Sequence, residues 1–116
     1  MRASASQARI YELHAQVCKV LSSSKRLEII NILRNGEKMV GEIAAAMGLR
    51  KSNVSQQLAI LRERGILVAR REGQRQYYRL AYPKMLKAYD LLREVLFEQI
   101  EKQRILARRF RRQGRP

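Results

Sequence analysis

Ser52, Asn53, Ser55, Gln56 and Gln57 crowd hydrogen-bonding side chains into one short stretch. Hydroxyls and amides both donate and accept, and they do so without carrying charge. Val54, Leu58 and Leu61 run through the same stretch at i, i+4 and i+7, so one side of a helix over 51–64 faces inward. The polar residues are left on the surface near a helix N-terminus. Groups of this kind, so placed, suit the reading of base edges in a major groove. An ordinary amphipathic helical hairpin with a polar outer face would share the pattern.

A second pair of chemically active residues lies near the start of the chain. His14 and Cys18 are four apart, hence on one helix face. A metal held there needs further ligands, from Glu12, from Asp90 or Glu94, or from a second copy of the chain. The bland alternative is a small buried thiol beside a solvated imidazole. No cofactor is assigned.

These residues need elements to hold them. Upstream of the polar stretch, 40–47 forms a short helix with Ile43, Ala44 and Met47 on one face, and Gly48 ends it. The two helices make a helix-turn-helix. Ile10, Leu13, Val17 and Leu21 define an earlier helix over about 8–21. Serines at 22–24 interrupt it and can cap the next, which carries Leu27, Ile30 and Leu33 and stops near Asn35-Gly36. After Gly65 the period changes. Residues 66–71 and 76–80 are β-rich runs around a Gly-containing turn, flanked by Arg70, Arg71, Arg75 and Arg79. A cationic hairpin beside a reading helix can grip phosphate or enter a minor groove, with Arg70 and Arg75 the candidate contacts. A sheet edge made soluble by charge is the plainer account. From Pro83 onward Met85, Leu86, Tyr89, Leu92, Leu96 and Ile100 step along one face of a long helix.

The expected fold is therefore mainly α with a small β-hairpin, a winged helix-turn-helix that dimerises through its first and last helices. Residues 1–7 are expected to fray, 8–103 to form the domain, and 104–116 to form a basic tail. That tail holds six arginines and no acid, which suits either a non-specific phosphate contact or a solvated end.

With 116 residues the chain is one domain, and its net charge of +15 implies a polyanionic partner. No 18-residue apolar run exists to cross a membrane, and the first residues lack the apolar core of a secretory signal. A single cysteine cannot form an internal disulfide, which fits a cytoplasmic protein. Enzymatic chemistry is not expected: there is no Gly-rich phosphate loop and no nucleophile paired with a base. A basic architectural nucleic-acid-binding protein without sequence choice is the competing expectation, and a module acting mainly on a protein partner is a third.

The segments KRLEIINIL, VGEIAAAMGLRKSNVSQQLAILRERGIL and REGQRQYYRL, in this order, resemble the ArsR/SmtB family of winged-helix repressors across residues 25–80. The resemblance implies a homodimer on a double-stranded DNA operator, blocking transcription until an inducer binds. It also implies that Ser52, Asn53, Ser55, Gln56 and Gln57 face bases or nearby phosphates, with Arg75 at the wing tip. Metal-sensing members often place a cysteine where this chain has Met39, and others use Asp and His on the last helix, where residues 82–104 contain no His or Cys. For an inducer this leaves Cys18 and His14: a metal, or a thiol signal through a Cys18–Cys18 bridge across the dimer or a capped thiol.

Overall fold

The computed structural model describes residues 4–114. Five helices and three strands follow one another: α1 (Ala5–Val20), α2 (Ser24–Ile32), β1 (Lys38–Met39), α3 (Val40–Met47), α4 (Lys51–Glu63), β2 (Leu67–Glu72), β3 (Arg75–Leu80) and α5 (Met85–Gln113). A single 3-10 turn, Leu33–Asn35, closes α2.

The first helix begins three residues earlier than the apolar spacing suggests. The Ser4 hydroxyl accepts from the Gln7 N–H at 3.2 Å, and the Gln7 side chain accepts from the Ser4 N–H at 3.1 Å. This reciprocal capping box supplies partners for two N–H groups that a helix start otherwise leaves open. What the sequence suggests for residues 1–3 and 115–116 lies outside the described residues. At α2 the Ser23 hydroxyl caps the Arg26 N–H at 3.4 Å.

The core lies between Val20 and Leu80. Ile29 and Ile30 of α2, Ile43 and Ala44 of α3, and Val54, Leu58 and Leu61 of α4 are buried together with Leu33, Ile66, Leu67 and Leu80. Helices α2, α3 and α4 pack on one another, and α4 packs on β2. The sheet is antiparallel in the order β1-β3-β2, with Leu67 opposite Leu80 and Glu72 opposite Arg75. Strand β1 is not foreseen by periodicity, since two residues carry no period; Lys38 and Met39 pair with Tyr78 and Tyr77. The hairpin reverses over Gly73 and Gln74. Gly73 has φ 61°, and among the described residues none other than glycine has positive φ, the pattern of a tight hairpin turn with glycine first.

Residues from Pro83 onward form a separate unit built on α5. This helix has 29 residues and no buried side chain. It continues through the arginine-rich segment to Gln113, so no break in the helix falls at residue 104. Among the described residues no helix is long and apolar enough to cross a membrane.

Candidate nucleic-acid interface

The turn between α3 and α4 sets the interface. Gly48 ends α3 in the left-handed region, φ 65°, which lets the chain reverse without strain. The Lys51 side chain at the start of α4 reaches back to Gly41 of α3, where a Cβ would lie 3.4 Å from it. Arg50 occupies the cap position of α4, and its side chain makes no cap hydrogen bond. Helix geometry leaves the first-turn N–H groups without intrahelical acceptors and gives that end a partial positive charge.

Along α4 the expected division of faces is present. Val54, Leu58 and Leu61 are fully buried, while Ser52, Ser55 and Gln56 are exposed. Asn53 and Gln57 are half-buried on the flanks. Gln57 is already engaged, since its Oε1 accepts from Arg26 Nη1 at 3.0 Å. The same guanidinium donates through Nε to the Val20 carbonyl at the end of α1.

In the wing the two arginines singled out by sequence have different surroundings. Arg70 is exposed but paired with two acids: its Nε donates to both Glu37 carboxylate oxygens at 3.0 Å, and its Nη1 to Glu72 at 2.8 Å. The guanidinium also lies 4.6 Å from the centre of the Tyr77 ring. Hydrogen bonding from Arg70 holds the Glu37 carboxyl below its ordinary range, and the two acids push the Arg70 pKa up. Arg70 therefore ties the β1 approach to the hairpin. Arg75 opens β3 beside the turn and is exposed, as is Arg71. Sequence spacing does not mark Arg26 or Glu37, because their partners lie 31 and 33 positions away.

On α1, His14 and Cys18 are exposed one turn apart, and the cysteine is free. Among the described residues no three His, Cys, Asp or Glu side chains gather into a group that could hold a metal.

Residues 23–68, which contain the helix-turn-helix, match the profile described as bacterial regulatory protein, ArsR family. The Agrobacterium fabrum biofilm growth-associated repressor is 40% identical over 78 residues, covering 67% of each chain. The chain belongs to the ArsR family. Its fold is the family's winged helix-turn-helix: the solution structure of a homodimeric DNA-binding domain from Mycobacterium bovis superposes with a TM-score of 0.75 at 36% identity, covering 86% of this chain and 93% of that one. The transcriptional regulator Rv0324 of Mycobacterium tuberculosis is 36% identical over 94 residues, which is 81% of this chain. This chain spans only 42% of that regulator's length. As an ArsR-family member the chain is a DNA-binding transcriptional regulator and not an enzyme.

Proposed function

We propose that this ArsR-family chain is a homodimeric repressor that reads an operator through α4 and steadies itself on the duplex with the wing. The observation that carries the reading is the exposure of Ser52, Ser55 and Gln56 on one helix whose opposite face, Val54, Leu58 and Leu61, is fully buried. A rigid helix with its polar edge outward can enter a major groove and hold donors and acceptors against base edges. Asn53 serves the flank, and Arg75 contacts phosphate from the wing. The arginines of 104–113 add attraction to DNA that is indifferent to sequence.

A second copy supplies the two-fold symmetry that an inverted-repeat operator requires. Ile10 and Tyr11 of α1 are more than half exposed, and so, in the other unit, are Leu92, Phe97 and Ile100 of α5; each is apolar surface that pairing would cover. The M. bovis relative is described as homodimeric, which supports this assembly. The protein acts in the cytoplasm, where the DNA is, and an inducer ends repression. Cys18 and His14 are the candidate sensing residues, by metal or by thiol chemistry.

Selection of duplexes from a random library, followed by salt titration of the enriched and a scrambled duplex, tests the reading. An operator reader keeps a preference of about a thousandfold or more. A protein that binds both duplexes equally, with one shared salt slope, would be architectural instead. For sensing, Cys18→Ser should blunt the response of repression in cells to oxidant or metal challenge. An unaltered response to both would make the thiol structural.

A further inference from the structure

Arg26 lies outside the reading helix, yet its side chain ties the flank of that helix to the end of α1. Its backbone N–H is capped by Ser23, its Nε donates to the Val20 carbonyl, and its Nη1 donates to Gln57 Oε1 at 3.0 Å. One residue in the first turn of α2 thus touches the end of α1 and the middle of α4. Arginine has no acceptor atoms, so the amide oxygen of Gln57 must be the atom that faces it. A hydrogen bond from a charged donor in a half-buried site is among the stronger ones a helix surface offers. Gln57 itself stands on the flank of α4. It is one residue from buried Leu58, whereas Gln56 next to it is exposed.

We propose that Arg26 is a positioning residue for base readout, and that Gln57 is its strut on α4 rather than a reader of bases. Together they latch the reading helix to the last turn of α1. The bases are then left to Ser52, Ser55 and Gln56. The latch sets the angle at which these side chains meet the groove, and a small error of placement weakens hydrogen bonds that depend steeply on geometry. This inference rests on the operator-reading function proposed above.

The test uses the full chain and the duplex it enriches from a random library. The quantity read is the ratio of affinities for that duplex and a scrambled one. Arg26→Ala and Gln57→Ala should each lower the ratio by about tenfold, the scale of one charge-assisted hydrogen bond. The double variant should lose no more than either single one, because both remove the same latch. Gln57→Glu keeps an acceptor for Arg26 and should hold the ratio within about twofold to threefold of the parent. Its added negative charge lowers both affinities together.

Three results would overturn the inference. A Gln57→Glu ratio as poor as that of Gln57→Ala would make Gln57 a base reader. Additive losses in the double variant would separate the two residues. A ratio that survives Arg26→Ala while the melting temperature falls would leave Arg26 a merely structural tie. If Arg26→Ala does not fold, the contrast between Gln57→Glu and Gln57→Ala decides alone, since both lie at the helix surface. A parent protein that enriches no duplex at all refutes the operator reading. One that enriches a duplex but behaves in any of the three ways refutes only the latch.

Discussion

Two helices with the same kind of apolar stripe have different environments. On α4 the stripe is Val54, Leu58 and Leu61, each 0% exposed and packed within the unit that ends at Tyr82. On α5 the stripe includes Leu92 at 61% and Leu96 at 47% exposed, with Phe97 at 62% beside it. Helical spacing reports that a face is apolar and does not report what covers it. In the proposed function the α4 stripe is the floor of a reading surface, and its close packing holds the helix that carries Ser52, Ser55 and Gln56. The α5 stripe is surface in a single chain, and in the proposed homodimer a second copy would cover it.

Substitution can break this contrast. Leu58→Ala removes a fully buried side chain from close-packed surroundings and should cost about 2–5 kcal/mol of folding stability, read by denaturant unfolding. Should Leu58→Ala prove as mild as a surface change, the distinction between the two stripes would fail. On α5 the pair Leu92→Glu and Leu96→Glu should leave each chain folded and separate the two copies. Sedimentation should report a monomer, and operator affinity should fall by about a hundredfold as the two-site attachment is lost. A doubly charged variant that still sediments as a dimer would remove α5 from the interface.

Much of the fold is legible in the residues alone, for stated reasons. The faces of α3 and α4 follow from the spacing of Ile43, Ala44, Val54, Leu58 and Leu61, and the turn follows from Gly48. The hairpin follows from β-rich runs about Gly73. The start of α1 was within reach, because Ser4 and Gln7 stand at capping-box spacing, but a small polar stretch invites the expectation of fraying. Strand β1 was out of reach: its pairing with Tyr77 and Tyr78 is decided by the fold and not by its own two residues. The candidate site divides in the same way. Exposure of Ser52, Ser55 and Gln56 follows from helical period. The engagement of Gln57 by Arg26 and of Arg70 by Glu37 depends on tertiary contacts that period does not encode.

The reading surface itself can be sharpened residue by residue. Gln56→Ala should weaken binding to the enriched duplex by about 1–3 kcal/mol and leave a scrambled duplex nearly unaffected. An equal loss on both would place Gln56 on the backbone and not on a base. Arg75→Ala should act in the opposite sense, weakening both duplexes alike and lowering the salt slope by about one. Electrophoretic or fluorescence titration at several salt concentrations distinguishes the two. If Arg75→Ala changed the ratio and left the slope alone, the wing would be reading sequence.

The smallest expected effect belongs to the other wing arginine. Arg70 holds Glu37 and Glu72, and the Glu37 carboxyl is kept below its ordinary pKa, chiefly by the hydrogen bond from Arg70. A carboxyl with a depressed folded-state pKa stabilises the fold above its unfolded pKa. That stabilisation is lost as pH falls through the lowered folded value. Melting temperature should therefore drop as the solution is acidified through and below the ordinary carboxylate range. In Glu37→Gln the drop should be shallower, because the titrating group is gone. The pair is solvent-accessible, so the difference should be small and should shrink further in high salt. Identical pH profiles for parent and variant at low salt would mean that the Arg70 network adds no stability to the wing. Arg70 would then be as available to phosphate as Arg75, and the two arginines would no longer have separate tasks.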